Sequence, residues 1–210
     1  GKLSLADGVA LAEVGMELPA LAEGARRHAE RVVVAAPPAA TLDGVGRAAF
    51  TVDGERVALG VPGLHQAGNA ALAWTVGREL GLQPAAMAAA LGQVALPGGR
   101  GELRQHGKLT VLDDSYNANP ASFLAAIATA RAMRGGRRLV FVAGTMKELG
   151  DAAARYHREV AAALVALHPE LLAAEGEFVA ALEPHLAELG DRLLTARDAP
   201  ALGALLRDRL

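Results

Sequence analysis

The chain has 210 residues, 52% of them hydrophobic, with 21 Lys and Arg against 23 Asp and Glu for a formal net charge of −2, and no cysteine. Disulfides and thiolate metal sites are thereby excluded, and the near-neutral balance carries no electrostatic footprint for nucleic acid. No apolar run reaches the roughly 18–20 residues that span a bilayer, so no membrane partner is expected and a cytoplasmic setting fits.

In chain order, VALAEV (9–14) reads as a short buried strand, LPALAEGARRHA (18–29) as a helix and RVVVAA (31–36) as a second strand. That order implies a parallel, right-handed crossover. RAAFTV (47–52) and ERVALGV (55–61) flank Asp53-Gly54, a strong hairpin signal. Helices are expected at about 65–81 and 84–94, divided by Gly81 and Pro84.

The glycine-rich stretch LPGGRGE (96–102) is the best internal boundary, giving expected pieces of 1–98 and 99–210. Beyond it the pattern predicts strands at 102–106 and 109–113, a helix at 120–133 and a strand at 137–143. A helix at 151–167, a strand at 170–174, a helix at 177–188, a strand at 192–195 and a helix at 198–208 follow. Such alternation argues for an α/β fold with a Rossmann-like doubly wound sheet. Residue 1 enters almost directly into a structural unit and the last helix has no closing strand, so a piece of a longer protein is expected.

In open α/β sheets ligands sit beyond the carboxyl ends of strands, where LDDSYNANP (112–120) falls. Strand alternation turns Asp113 and Asp114 in opposite directions, so one can serve the structure and the other a cleft. Asn119 is a natural helix cap and Pro120 suits the first helical position. Ordinary capping explains those two residues, but not Asp-Asp-Ser-Tyr-Asn ahead of them. The free N–H groups at that helix start favour an anion.

HQAGNAALAW (65–74) places His65 and Asn69 on one helical face, with Gln66 beside His65. Amides can read a purine edge, although capping explains the spacing equally well. Arg100 in GGRGE could hold a phosphate through two parallel hydrogen bonds, or be a solvated linker arginine. In VFVAGTMKELG (140–150) another strand ends in a polar loop, and His157 beyond it reads as structural. The other histidines lack metal-ligand spacing, and neither a G-x-x-x-x-G-K-[ST] loop nor a dinucleotide fingerprint occurs.

DDSYNANPASFLAAI, GLHQAGNAALA, GGRGE and VAGTMKELGDAAARYH together resemble the ATP-dependent Mur ligases of peptidoglycan synthesis. The first of these looks most like the branch that joins D-Ala-D-Ala to UDP-N-acetylmuramoyl-tripeptide. The resemblance implies a three-domain enzyme, with 1–98 the latter part of a central ATPase domain and 99–210 the C-terminal Rossmann-like domain. The UDP-binding domain and phosphate loop would lie outside this chain. It implies ATP and Mg2+ as cofactors, the metal ligands lying mainly outside this chain. UDP-N-acetylmuramoyl-tripeptide and D-Ala-D-Ala would be the partners, and a monomer is expected.

Carried over by position, Asn69 would contact the adenine region with His65 and Gln66 close by. Arg100 would reach the γ-phosphate side, and Asp114 would bind nucleotide. Ser115, Tyr116, Asn117 and Asn119 would line the dipeptide site. Gln66 departs from the family's usual Asn, and Thr145 from its usual Asp. On this reading the chain alone would neither hydrolyse ATP nor ligate. The alternative is a non-catalytic binding or regulatory module derived from the same half of a ligase.

Overall fold

The structure, a computed structural model, describes residues 4–6, 9–13, 31–36 and 38–210. The helix expected at 18–29 lies outside the described residues. The chain divides into two compact units, Gly1–Leu96 and Pro97–Leu210.

The first unit contains two small sheets. In one, β1 (Ser4–Ala6) runs antiparallel to β2 (Val9–Glu13), which pairs in parallel with β3 (Arg31–Ala35). The parallel pair matches the expected crossover, whereas β1 is too short to carry a sequence signal. In the other, β4 (Thr41–Leu42), β5 (Arg47–Val52) and β6 (Glu55–Pro62) form an antiparallel sheet. Its tight turn has positive φ at both central residues, 49° at Asp53 and 81° at Gly54, the geometry that matches right-handed strand twist.

Helix α1 (His65–Glu79) and helix α2 (Pro84–Gly92) follow. Ala67, Ala70 and Trp74 of α1 and Met87 of α2 pack against Phe50, Val57 and Leu59 of the sheet. The Trp74 indole N–H donates to Asp53 Oδ2 at 2.9 Å, and Arg78 Nε lies 3.2 Å from the same oxygen. One turn carboxylate thus fixes the rotation of α1 against the hairpin, which in turn fixes the face its first turn presents.

The second unit opens with the antiparallel pair β7 (Glu102–His106) and β8 (Leu109–Asp113). Helix α3 (Pro120–Arg134) then leads to β9 (Val140–Ala143). Helix α4 (Ala153–Ala166) and β10 (Leu171–Glu175) come next. The short helices α5 (Glu177–Leu182) and α6 (Leu186–Leu189) are joined by a 3-10 turn at Pro184. Strand β11 (Leu193–Ala196) and helix α7 (Ala199–Arg207) complete it. The parallel sheet has the order β11-β10-β9, with β10 central.

Leu171, Leu172, Ala173 and Ala174 of β10 are all 0% exposed, which means both faces of the central strand are covered. Leu172 and Ala174 join Phe123 and Ile127 of α3, Val160 and Leu164 of α4, and Phe178 and Leu182 of α5 in one apolar cluster. Helix α7 packs along β10 and β11. This is the α/β, Rossmann-like architecture expected from the alternating pattern.

Two details differ from the sequence reading. Strand β8 pairs with β7 in a separate ribbon instead of joining the parallel sheet. Strand β9 begins at Val140, because Arg137 and Arg138 belong to the turn after Gly135-Gly136. There Arg137 donates to Met133 O and to Thr110 Oγ1, and Arg138 to Arg209 O at 3.0 Å, using the segment as an anchor.

Phe178 is fully buried, its ring centroid 5.2 Å from that of Phe123 and 4.8 Å from that of His157. Phe178→Ala is expected to destabilise the second unit by about 3–5 kcal/mol, read from the midpoint of urea unfolding. An unchanged midpoint would place the core elsewhere.

Candidate functional site

The loop between β8 and α3 is built by successive local hydrogen bonds. Asp113 Oδ1 accepts the Ser115 hydroxyl at 2.6 Å and the Ser115 backbone N–H at 3.2 Å, closing an Asx-type turn. Asp113 is therefore the structural member of the acidic pair, and Asp114 is exposed. The Ser115 hydroxyl and the Arg104 guanidinium, 3.5 Å away, hold the Asp113 carboxyl below its usual range. Arg104 also donates to Glu102 at 2.7 Å, which lowers the Glu102 carboxyl and raises the arginine.

Asn117 Oδ1 accepts the Ala118 N–H at 2.9 Å. Asn119 caps α3 in a reciprocal box: its Oδ1 accepts the Ser122 N–H at 2.9 Å, and Ser122 Oγ accepts the Asn119 N–H at 3.0 Å. Pro120 occupies the first helical position, as expected. The Asn119 side-chain NH2 keeps its donors for another partner.

Gly99 meets this loop directly. Tyr116 N–H donates to Gly99 O at 2.8 Å, and the Arg100 guanidinium carbon lies 3.9 Å from the Tyr116 ring centroid. Gly99 has φ of +74°, and a Cβ there would lie 3.1 Å from Tyr116 N and 3.3 Å from Tyr116 Cβ. Only glycine fits both the conformation and the approach. Arg100, Ser115 and Tyr116 are thus neighbours in one unit, a proximity their separation in sequence does not reveal.

In the first unit the start of α1 carries His65, Gln66 and Asn69. Asn69 Nδ2 donates to Gln66 Oε1 at 2.9 Å, so the two amides orient each other. Gln66 keeps its NH2 donors and Asn69 its carbonyl acceptor. His65 is exposed and sits over Gly63, where a Cβ would fall 2.5 Å from the imidazole.

The loop after β9 closes on itself. Thr145 N–H donates to Glu175 Oε1 at 3.0 Å, and the Thr145 hydroxyl accepts the Glu177 N–H at 3.1 Å at the start of α5. Met146 N–H donates to His157 Nε2 at 3.0 Å, while His157 Nδ1 donates to Ala153 O at 2.8 Å. His157 is 1% exposed, which agrees with its structural reading. The Thr145 network, with Gly176 pressed against it, had no sequence signal because its partners are some thirty residues apart. Among the described residues no group of three or more His, Asp or Glu side chains is arranged to hold a metal ion. No helix among them is long and apolar enough to cross a membrane.

Residues 99–201 match the family described as Mur ligase, glutamate ligase domain. That stretch belongs to the Mur ligase family. The chain is 32% identical over 176 residues to a UDP-N-acetylmuramoyl-tripeptide–D-alanyl-D-alanine ligase of Synechocystis, an alignment covering 81% of this chain and 37% of that protein. It is 38% identical over 98 residues to a UDP-N-acetylmuramate–L-alanine ligase of Paenarthrobacter aurescens, covering 46% of this chain and 22% of that protein. A crystal structure of MurF from Acinetobacter baumannii superposes with a TM-score of 0.78 at 24% identity, over 98% of this chain and 47% of that one. MurF from Thermotoga maritima in complex with ADP superposes with a TM-score of 0.70 at 22% identity, over 98% of this chain and 48% of that one. The chain thus spans less than half the length of these Mur ligases.

Two predictions follow from the loop. Ser115→Ala removes the donor chiefly responsible for the low Asp113 pKa, which should rise toward the ordinary aspartate value of about 4 in a carboxyl carbon NMR titration. Because the folded-state pKa is the depressed one, the stability it contributes is present above the unfolded value. That stability is lost as pH falls through the folded one, and Ser115→Ala should flatten this acid limb. Gly99→Ala should separate residue 99 from Tyr116 and cost about 1–3 kcal/mol through backbone strain and displaced contacts, measured by thermal unfolding.

Proposed function

We propose that this chain is part of an ATP-dependent amide ligase that adds D-Ala-D-Ala to UDP-N-acetylmuramoyl-tripeptide. In that reaction the γ-phosphoryl group of ATP passes to the terminal carboxylate of the tripeptide and ADP leaves. The D-Ala-D-Ala amine then attacks the acyl carbon, forming the amide and expelling phosphate, with one proton lost from nitrogen. The carrying observation is the Arg100–Tyr116 contact, which joins a cation suited to phosphoryl oxygens to the amide-lined start of α3.

Each residue has a role consistent with its geometry. In the first unit, Gln66 NH2 and Asn69 Oδ1 form a donor–acceptor pair of the kind that reads an adenine edge, with His65 beside them. In the second, Arg100 takes phosphoryl oxygens and Asp114 contacts the nucleotide. Asn117, the Asn119 NH2, Tyr116 and the Ser115 oxygen lie around a helix start whose partial positive charge favours the dipeptide carboxylate. Mg2+ would supply charge neutralisation at the phosphates. The described residues of this chain give it no cluster of ligands.

The 38% identity to an L-alanine-adding relative supports one competing acceptor, L-alanine itself. Amide NMR of the isotope-labelled chain separates the two. D-Ala-D-Ala should shift the resonances of residues 115–119, and L-alanine at the same concentration should not. The opposite pattern would assign the chain to the other branch. Asn69→Ala should weaken ATP-induced shifts at the start of α1 by about tenfold, the scale of a hydrogen bond or two.

A further inference from the structure

Two arginines near the start of the second unit carry their charge in different ways. Arg104 is held by carboxylates, 2.7 Å from Glu102 and 3.5 Å from Asp113. Among the described residues no carboxylate is recorded in ion-pair range of Arg100. Its guanidinium instead lies 3.9 Å from the Tyr116 ring centroid. A carboxylate cancels the charge of an arginine and occupies its N–H donors. An aromatic face does neither: it contacts the flat side of the guanidinium, and the donors stay in the plane, aimed outward.

Tyr116 is tied down through its backbone. Its backbone N–H is tied to Gly99 O at 2.8 Å, one residue before Arg100, and Gly99 leaves no room for a Cβ. Stacking platform and arginine therefore share one backbone link. Orienting a long side chain ahead of binding reduces the rotamer entropy lost when it engages a ligand.

We infer that Tyr116 is a positioning residue for anion capture, its ring holding Arg100 so that the paired N–H groups meet two oxygens of a nucleotide polyphosphate. This goes beyond lining the dipeptide site, and it rests on the reading of Arg100 as a phosphate ligand. The ring and the hydroxyl of Tyr116 then have separable duties. The ring serves Arg100 and the phosphates, whereas the hydroxyl of this exposed residue is left to the acceptor.

The test uses the 210-residue chain with inorganic tripolyphosphate as probe, following the Arg100 Nε–H resonance and the binding isotherm. In the unsubstituted chain and in Tyr116→Phe, that resonance should show the upfield displacement of a proton near an aromatic face, and binding should be equal. Tyr116→Leu should lose the displacement and bind about two- to fivefold more weakly, the range of an exposed cation–π contact. Arg100→Ala should abolish the dependence on residue 116. Equal binding by Tyr116→Leu and the unsubstituted chain would overturn the inference, as would equal losses in Tyr116→Phe and Tyr116→Leu, or no tripolyphosphate binding at all. D-Ala-D-Ala titrated into the same samples is a separate arm. Its failure alongside the expected phosphate pattern would remove the dipeptide ligase reading and leave the positioning role standing.

Discussion

The close approach of Gly99 to Tyr116 is the constraint on which the candidate site depends. A carbonyl at a residue with φ of +74° accepts the Tyr116 N–H at 2.8 Å, and the absent Cβ is what lets the two backbones come that near. Through this bond the chain entering the second unit is registered against the loop leaving β8. Arg100 follows Gly99 directly, so its stack on the ring is a consequence of that registration. A bulkier hinge would keep both residues but not their juxtaposition.

The two aspartates divide the electrostatic work. Asp113 gathers Ser115 and, at longer range, Arg104, so its charge is balanced within the protein and the turn it closes is rigid. That rigidity delivers Tyr116 to the hinge and brings Asn117 and Asn119 to the start of α3. Exposed surface ion pairs such as Glu102–Arg104 contribute little stability by themselves. Their effect here is geometric, because they occupy Arg104, while Arg100 stacks on Tyr116.

Much of this was legible in the sequence, for reasons that differ by element. The Asp53-Gly54 turn, the Pro120 helix start and the Asn119 cap were readable because each depends on neighbours within a few residues. The parallel strands were readable because β10 is apolar on both faces, which few other environments permit. The pairing of β8 was not, since a strand's partner depends on long-range register. Arg100 could be read only as either a phosphate ligand or a solvated linker, because its stacking partner is a ring sixteen positions away. The purine reading of Gln66 and Asn69 was equally open from spacing, which did not reveal the mutual hydrogen bond that leaves them one donor group and one acceptor.

Thr145, where the family resemblance implies an aspartate, shows how a departure from pattern can leave the local architecture whole. Its hydroxyl accepts the Glu177 N–H at the start of α5, a task a carboxylate could also perform, while Glu175 binds its backbone N–H. An aspartate at this position would bring a second negative charge close to Glu175, and threonine avoids that repulsion. With His157 taking the next N–H, the two backbone donors that follow Gly144 are engaged by the protein itself. The loop after β8 is different: among the described residues its Asn119 NH2, its tyrosine hydroxyl and the Arg100 guanidinium make no hydrogen bond. The end of β8 thus keeps donors uncommitted beside a helix start, which is what recommends it over the end of β9 as the place proposed for a ligand.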